Sequence, residues 1–440
     1  MSSIPVTSRC RLARQMIVVP IGNLRPNPRT ARTHSKKQIR QLANSIEQFG
    51  WTYPIIVDEN NGIVGGHARY AAAQSLGYRE VPIIVVSGLS DAEKRALALA
   101  DNKIAANAGW DRKLLAEELG ELVTLLPEFD LDLDITGFEP AEIDNLLGDL
   151  VDPEVDPADE LPAPEGRAVS RPGDLWQLGP HRLLCGDAQS AAAYLNLMGG
   201  VVAAMVFTDP PYNLPIKSVQ GRGRTKHREF VQGSGEMSPA QFTDFLRRSL
   251  TLAAEHSADG AIHFICVDWR HVGDLLMVGG AVYSELKNIV AWVKVNGGQG
   301  SFYRSQHELI CVFKNGEGPH QNNVELGRHG RNRSNVWSYP GVNSFRAGRM
   351  DDLSIHPTVK PVALIADAMR DCSRRGDIVL DPFMGSGTTV MAAERVGRRA
   401  YGLELDPLYV DTAVRRWQAY TGKDAILEST GQTFLRSKPF

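Results

Sequence analysis

The sequence lacks the features that mark several classes of protein. It has 5 cysteines, Cys10, Cys185, Cys266, Cys311 and Cys372, and no CxxC pair. This scattered, odd-numbered set argues against a disulfide framework or a zinc cluster and suits a reducing compartment. No apolar run reaches the roughly 18 residues of a membrane helix, and the N-terminus lacks the apolar centre of a signal peptide. We therefore expect a cytoplasmic protein without a metal site or a membrane span.

Excess charge is also lacking, but the formal net charge of -3 conceals local patches. The first fifty residues carry nine basic side chains against the single acid Glu47, whereas acids crowd residues 111 to 165. Two later segments are basic, and the candidates in them for contact with a polyanion are Lys217, Arg222, Arg224, Lys226, Arg331 and Arg333. Such segments either hold a polyanion or are solvated loops.

The clearest boundary is the acidic, proline-rich stretch VDPEVDPADELPAPEG at residues 151–166, which has no periodicity and predicts an extended linker. We divide the chain into a first domain at 14–110, a helical extension at 111–150, the linker at 151–170 and a second domain at 171–425.

The first domain predicts a small α+β fold. Ser35 can cap a helix that Gly50 ends. The stretch PIIVDENNGIVGG predicts a hairpin with Asn61 and Gly62 in its turn. A second helix, HARYAAAQSLGY, and a third strand, VPIIVV, follow, and the signals from Asp91 to about Gly148 are helical.

The second domain alternates apolar strands with amphipathic helices. The strand candidates are RLLCGD, VVAAMVF, AIHFICV, NIVAWVKV, ELICVFK, DIVLDPF and AYGLEL. Nearly continuous apolar strands are typical of a mostly parallel sheet with helices on both faces. The fold class is therefore α/β, a doubly wound Rossmann-like sheet of about seven strands.

The stretch DIVLDPFMGSGTTVMAAERVGRRAYGLELDP predicts a nucleoside site. A strand ends at Asp381, a turn holds Gly385 and Gly387, a helix follows, and a second strand ends at Glu404. Glycines let the backbone approach a ligand, and an acid after the second strand can accept both hydroxyls of a ribose. A Walker loop is disfavoured because the Gly-Lys-Ser/Thr ending is missing, and the dinucleotide pattern Gly-x-Gly-x-x-Gly is incomplete.

The tetrapeptide Asp209-Pro210-Pro211-Tyr212 follows the apolar strand VVAAMVF. The prolines stiffen the turn and lack N–H donors. A carboxylate and a fixed carbonyl can grip both hydrogens of an exocyclic amino group, and an aromatic ring can stack on the attached base. The alternative is an ordinary turn.

Together these motifs resemble the amino-methylating DNA methyltransferases that use S-adenosylmethionine (SAM). The matching segments are DPPY, DPFMGSGTT with Glu404, HPTVKP at 356–361, and LLCGDA at 183–188. The catalytic segment precedes the SAM segment, which resembles the permuted β-class order. The resemblance covers about residues 171 to 420.

The resemblance implies a role for each matched residue. The catalytic group is Asp209, Pro210, Pro211 and Tyr212, which would hold and stack a base flipped out of double-stranded DNA. The SAM group is Asp187, Thr358, Lys360, Asp381, Phe383, Gly385, Ser386, Gly387, Thr388 and Glu404. Within it, Glu404 would bind the ribose, Asp187 would lie near the adenine, and Thr358 and Lys360 near the methionine.

In this family Asp209, where some members have Ser, favours adenine N6 over cytosine N4, which stays as the close alternative. Two further readings remain open: a DNA-binding regulatory protein with a non-catalytic methyltransferase half, and an enzyme acting on RNA or on a glutamine amide. The target sequence, the biological role (including restriction–modification) and the oligomeric state, monomer or dimer, stay open.

The stretch IVGGHARYAAAQSLGYREVPIIVV at residues 63–86 resembles the ParB-like, sulfiredoxin-like N-terminal domain. Gly65, Gly66, His67 and Arg69 open a helix after a strand, so N–H groups and a guanidinium could hold a phosphate, a nucleotide or DNA. A simple helix cap is the alternative. The resemblance spans about residues 14 to 105.

Overall fold

The computed structural model describes residues 16–126, 131, 133–148, 157–160, 162, 167–214, 232–294, 297, 302–327, 331–340 and 359–434. The predictions made for Lys217, Arg222, Arg224, Lys226 and Thr358 lie outside these residues. The chain divides into two compact units, Met1–Glu139 and Pro140–Phe440. Within the described ranges, no helix combines the length and the hydropathy needed to cross a bilayer.

The first unit is built on a four-stranded sheet of order β1-β4-β2-β3. The strands are β1 Ile17–Pro20, β2 Ile55–Val57, β3 Ile63–Gly65 and β4 Glu80–Val85. The predicted hairpin is confirmed, because β2 and β3 pair antiparallel. Asn61 in its turn has a φ of 61°, and the Asp58 carboxylate accepts from the N–H groups of Asn60 and Gly62 at 2.9 and 2.8 Å.

The helices of the first unit are α1 Lys36–Phe49, α2 His67–Ser75, α3 Asp91–Ala106 and α4 Arg112–Leu125. The predicted capping of α1 is confirmed: the Ser35 hydroxyl accepts from the Gln38 N–H at 3.1 Å, and Gly50 ends the helix with a φ of 72°. Ala43 and Ile46 bury one face of α1 against Ala72 of α2.

The second unit is built on a ten-stranded sheet of order β11-β9-β10-β8-β7-β12-β13-β6-β5-β14. The strands are β5 Leu175–Leu178, β6 His181–Cys185, β7 Ala203–Thr208, β8 Ser257–Val267, β9 Glu285–Val293, β10 His307–Lys314, β11 Val336–Ser338, β12 Ile378–Asp381, β13 Arg399–Glu404 and β14 Ile426–Leu427. All seven predicted strands are present. The central run β8-β7-β12-β13-β6 is parallel, and antiparallel pairs flank it.

Helices cover both faces of this sheet, as the apolar strands predict. They are α5 Pro140–Gly148, α6 Ala191–Met198, α7 Pro239–Glu255, α8 Val272–Val282, α9 Val362–Cys372, α10 Thr388–Val396 and α11 Pro407–Thr421. Strand β7 shows why its sequence is apolar throughout. Met205 and Phe207 join one buried cluster, whereas Val206 joins another on the opposite face.

The boundaries of the second unit differ from the predicted ones. Helix α5, assigned by sequence to a separate extension, belongs to this unit and buries Asp144 beside Arg398. Part of the predicted linker also packs here: Ala158 is fully buried, and its carbonyl accepts two bonds from Arg416. At the other end Phe434, beyond the predicted limit of 425, is buried against Trp176.

Candidate functional site

The candidate site lies where the parallel strands of the second unit end. Asp209 follows β7, Asp381 ends β12, Glu404 ends β13 and Asp187 follows β6. Since these strands run parallel, their carboxyl ends share one edge of the sheet. The Thr208 hydroxyl donates to the Asp381 carboxylate at 2.9 Å, which ties the DPPY strand to the strand of the glycine loop.

Asp381, the last residue of β12, fixes the glycine loop that follows it through hydrogen bonds. Its carboxylate accepts from the Phe383 N–H at 3.0 Å and from the Thr389 hydroxyl at 2.6 Å, in addition to Thr208. Burial raises the pKa of Asp381 to about 6, although these hydrogen bonds oppose the shift. Because the side chain is buried and these three donors are bound, Asp381 positions the loop, and its direct contact with a cofactor stays a prediction.

Two glycines give the loop its shape. Gly385 and Gly387 have φ angles of 55° and 84°, and Gly387 begins α10 in the left-handed conformation. A Cβ on Gly387 would lie 2.7 Å from the Ala413 Cβ, so only glycine fits there. The N-terminus of α10 is thereby brought close to α11, with its first N–H groups at the loop.

Glu404 closes the loop from the neighbouring strand. Its two oxygens accept from the N–H groups of Gly385 and Asp406, each at 2.8 Å. Burial raises the pKa of Glu404 to about 7, although the same hydrogen bonds lower it. Among the described residues no cation forms an ion pair with this carboxylate. A half-buried acid with lone pairs left and no cation suits hydroxyl donors such as those of a ribose.

The other residues predicted for the cofactor divide into two groups. Ser386 and Thr388 turn inward: the Ser386 carbonyl and the Thr388 hydroxyl accept from the buried Arg416 at 3.2 and 3.1 Å. Phe383 and Asp187 stay half-buried at the edge, where Phe383 packs on Phe245 with ring centres 5.6 Å apart.

Asp187 accepts from the Gln189 N–H at 2.9 Å. The adjacent Gly186 N–H donates to the Glu404 carbonyl at 2.9 Å, so Asp187 lies beside Glu404. The loop, Glu404 and Asp187 therefore lie together at one edge of the sheet, in a group that we call the cofactor cradle.

Asp209 is surrounded by donors. One of its oxygens accepts from the Tyr212 hydroxyl at 2.6 Å, and the other accepts from the Lys360 ammonium at 2.5 Å. Sequence reasoning placed Lys360 near the methionine portion of SAM, but the structure places its ammonium on the DPPY carboxylate. Burial lowers the pKa of Lys360, yet the charges of Asp209 and Glu308 outweigh it and raise the pKa, so the side chain stays a cation.

Glu308 on β10 is the site residue that sequence reasoning missed. Its carboxylate lies 3.0 Å from the Lys360 ammonium, 3.4 Å from the Tyr212 hydroxyl, and also pairs with Lys294. Burial raises the pKa of Glu308, but the two lysines outweigh it and lower the pKa to about 2. The available signal was a polar pair, His307-Glu308, directly before the apolar run LICVF of the same strand.

The turn after Tyr212 is also fixed. Asn213 has a φ of 51°, its amide donates to the Met237 carbonyl at 2.8 Å, and its oxygen accepts from the N–H groups of Gly235 and Met237 at 3.1 Å. A Cβ on Gly233 would lie 2.7 Å from the Pro211 Cβ. Pro211 is therefore a packing surface for the returning chain.

Arg331 and Arg333, predicted to contact DNA, lie elsewhere. Arg331 is 9% exposed and donates to Asp371 at 2.7 Å, and Arg333 pairs with both Asp367 and Asp371. Their guanidinium groups bind carboxylates of α9 within the fold, so a DNA contact by these two residues stays a prediction that would require them to leave these ion pairs. An isolated sequence pattern of arginines could not distinguish buried ion pairs from a surface patch.

The first unit holds the residues predicted for phosphate. Gly66 caps α2 with a φ of 93°, and a Cβ built on it would lie 3.7 Å from the Arg69 guanidinium. Arg69 also lies over the Tyr53 ring at 5.1 Å. The His67 Nε2 accepts from the Asn27 N–H at 3.3 Å, and burial lowers the His67 pKa. The Gly65 backbone lies in β3 directly before this cap.

Three family models match the chain. They are a DNA methylase at residues 203–415, a ParB N-terminal domain at 10–103 and a ParB-methyltransferase HTH domain at 113–172. The last model spans the boundary between the two units. The methylase model covers DPPY, Glu308, Lys360 and the glycine loop, all the charged groups described around Asp209.

Two curated relatives each match a short stretch of the chain. The ParB-like nuclease domain-containing protein YnaK of Escherichia coli K12 is 46% identical over 81 residues, 18% of this chain and 93% of YnaK. The type II methyltransferase M.ScaI of Streptomyces caespitosus is 38% identical over 90 residues, 20% of this chain and 30% of M.ScaI.

Two solved methyltransferase structures resemble part of the chain more distantly. M1.HpyAVI in complex with SAM is 19% identical, with a TM-score of 0.37, over 53% of this chain and 98% of that chain. The cytosine-N4-specific PvuII DNA methyltransferase is 14% identical, with a TM-score of 0.41, over 57% of this chain and 89% of that chain.

Proposed function

Because this chain belongs to the N6/N4 amino-methylating DNA methylases and carries a ParB N-terminal domain, we propose that it methylates adenine N6 in double-stranded DNA. DNA methylases of this family take the methyl group from SAM. The observation that carries the proposal is the Thr208–Asp381 hydrogen bond, which joins the strand of Asp209 to the strand of the cofactor cradle. One sheet edge thereby offers both an acceptor for an amino group and a place for its methyl donor.

Asp209 and the Pro210 carbonyl are the acceptors for the amino group. An exocyclic amine is a poor nucleophile because its lone pair is delocalised into the base. Hydrogen bonds from both of its N–H groups favour tetrahedral geometry and localise that pair. The Lys360 ammonium pairs with one oxygen of the Asp209 carboxylate at 2.5 Å and so fixes the orientation of this acceptor.

The cofactor cradle supplies alignment. Glu404 accepts the ribose hydroxyls, the N–H groups at the start of α10 approach the ligand, and Phe383 and Asp187 border it. SAM supplies an electrophilic methyl group on its sulfonium when bound. Binding holds the acceptor nitrogen and this methyl group in line. The barrier is lower because the entropy of orienting the two reactants is lost on binding and not in the transition state.

Double-stranded DNA is the proposed partner, and the base must leave the helix to reach Asp209. Unpairing costs a few kcal/mol. The tyrosine ring of the DPPY turn is the proposed stacking surface, with its hydroxyl held at Asp209 and its position fixed by Asn213. The basic residues between 217 and 226 remain the proposed DNA contacts.

Adenine is preferred over cytosine because the motif begins with Asp209 instead of serine. The test is expression in a host without DNA methylation, followed by modification-sensitive sequencing. We expect N6-methyladenine at a defined sequence, lost in Asp209→Ala and kept in Asp244→Ala, which removes an exposed carboxylate from α7. Detection of N4-methylcytosine would overturn the choice of base. Unmodified DNA in a host whose expressed protein binds SAM would overturn the proposal that the protein is a DNA methyltransferase.

For the first unit we propose a phosphate or nucleotide at the start of α2, supported by the left-handed Gly66 and the nearby Arg69 guanidinium. We expect calorimetry with nucleoside triphosphates to detect binding that Arg69→Ala abolishes. The exposed Arg112→Ala on α4 serves as the charge-matched control. Equal binding by both variants would reduce Gly66 and Arg69 to a helix cap.

A further inference from the structure

Four charged side chains form a connected group beneath the DPPY turn. Lys360 lies 2.5 Å from Asp209 and 3.0 Å from Glu308, and Glu308 also pairs with Lys294. The side chains of Lys360 and Glu308 are only 4% and 15% exposed. Two carboxylates and two ammonium groups leave no net charge in the group, which we call the charge quartet.

The quartet is held by aromatic rings as well as by ion pairs. The Lys360 ammonium lies 5.6 Å from the centre of the Trp292 ring, and Lys294 lies 4.6 Å from the same ring. Trp292 is buried and its indole N–H donates to the Tyr339 carbonyl. Both lysines are therefore confined, and Glu308 is the carboxylate that bridges them.

We propose that Glu308 is a positioning residue for methyl transfer, which holds Lys360 against Asp209 and cancels the charge that Lys360 would otherwise bring to the reacting amine. The proposal rests on the proposed function. Within the part of the chain that the structure describes, Glu308 reaches the amino-group site through Lys360 and through the Tyr212 hydroxyl, 3.4 Å away.

The reason is electrostatic. During transfer the bond from carbon to sulfur breaks, the bond from carbon to nitrogen forms, and positive charge moves from sulfur to the amine beside Asp209. With Glu308 present, Lys360 adds no net charge to this region. Without Glu308, an unbalanced cation is left in a buried site, where charge is poorly screened and opposes the charge arriving on nitrogen. The proton lost afterwards from the methylated amine leaves to solvent water.

The test uses the full chain, genomic DNA from a methylation-free host and tritiated SAM. Glu308→Gln keeps the shape and removes the charge, and we expect kcat to fall about 100-fold with KM for DNA little changed. Adding Lys294→Met restores neutrality, so the double variant should recover most of that loss. Glu285→Gln, an exposed acid at the other end of β9 that pairs with Lys287, is the matched control and should keep the wild-type kcat.

A second readout does not need the reaction. Carbon-13 NMR of the lysine Cε atoms follows the titration of Lys360 in the ligand-free protein. Glu308→Gln should lower the pKa of Lys360, because one of its two carboxylates has lost its charge, and Glu285→Gln should leave it unchanged. Thermal unfolding shows whether each variant is folded. Lys294→Met alone provides a test should Glu308→Gln unfold: it leaves one negative charge in excess, so kcat should stay at or above the wild-type value. A kcat of a folded Lys294→Met variant well below the wild-type value would overturn the electrostatic role.

The outcomes separate the two proposals. Failure of the wild-type protein to methylate any DNA would overturn the proposed function, and the NMR titration would still test the quartet. An active wild type with a Glu308→Gln kcat equal to that of Glu285→Gln would overturn the positioning role. So would a folded double variant that is no faster than Glu308→Gln, because a purely structural defect is not repaired by removing a second side chain.

Discussion

The acid of the cofactor cradle predicts how ligand binding depends on pH. The pKa of Glu404 is raised to about 7 by burial, against an ordinary value of 4.5. A raised folded-state pKa means that Glu404 contributes stability below its ordinary pKa, which is lost as pH rises through 7. Ribose hydroxyls donate to the ionised Glu404 carboxylate. Ligand binding therefore favours ionised Glu404, whereas burial in the ligand-free protein favours the neutral acid.

We therefore expect SAM affinity to rise with pH up to about 7 and to level off above it, with a slope of at most about tenfold per pH unit. Isothermal titration between pH 5.5 and 8.5 measures this. Glu404→Gln should bind more weakly and lose the dependence at this residue. A wild-type affinity for SAM that does not change across this pH range would show that Glu404 does not bind the ribose.

A side chain at position 387 would be disfavoured both by the positive φ of the backbone and by a steric clash with α11. Gly387 has a φ of 84°, and a Cβ would meet Ala413 at 2.7 Å. Gly376 has a φ of 81° and open space around its Cβ position, which makes Gly376→Ala a control matched in backbone strain. We expect Gly376→Ala to cost about 1 kcal/mol of stability and Gly387→Ala several times more, with loss of SAM binding.

Urea denaturation and calorimetry compare these two variants. Equal losses would mean that the approach of α10 to α11 relaxes without cost, and that backbone conformation alone demands glycine at the loop. Retained SAM affinity in Gly387→Ala would place the ligand away from this helix terminus.

At the scale of elements, α5 is attached to the second unit by a buried ion pair. Arg398 donates to both oxygens of Asp144 at 3.0 and 2.6 Å, and both side chains are at most 1% exposed. Removing one partner leaves the other buried and charged. We expect Asp144→Ala to lower the free energy of unfolding by about 3–5 kcal/mol.

Urea denaturation followed by tryptophan fluorescence measures that loss. Glu117→Ala on α4 breaks an exposed pair with Lys113 and should cost less than about 1 kcal/mol. A small effect of Asp144→Ala would show that Arg398 is satisfied by its other acceptors, the carbonyls of Ser373 and Val396.

The same pair shows what sequence patterns can and cannot predict. The strands of the second unit were predictable because their apolar runs reflect burial on both faces, and the glycine loop because positive φ angles demand glycine. Asp144 and Arg398 are 254 positions apart, and nothing local in either neighbourhood distinguishes them from surface charges. Glu308 carries a local signal, the polar pair that it forms with His307, but its partners Lys294 and Lys360 come from separate segments, so its role could not be predicted from that signal.

For the whole molecule, contacts of the second unit extend into the stretch whose composition predicts a linker. Acidic and proline-rich residues predicted a linker from 151 to 170, but Asp159 accepts from the Val362 N–H at the start of α9, and Ala158 is buried against Arg416. Residues of a polar stretch can pack on a domain because their carbonyl and carboxylate oxygens accept hydrogen bonds from donors that would otherwise be unpaired. Here the donors are the Val362 N–H and the Arg416 guanidinium.

This difference yields a prediction about where the second unit begins. A protein starting at Pro140 keeps α5 and the contacts of Ala158 and Asp159, whereas one starting at residue 171 leaves Arg398 and Arg416 without those acceptors. Buried guanidinium groups that lose their partners are costly. We expect the chain of residues 140–440 to unfold in one transition and to bind SAM, and the chain of residues 171–440 to unfold at lower temperature or to aggregate. Differential scanning calorimetry compares the two proteins. Equal melting temperatures would mean that α5 and the residues up to 170 do not stabilise the second unit.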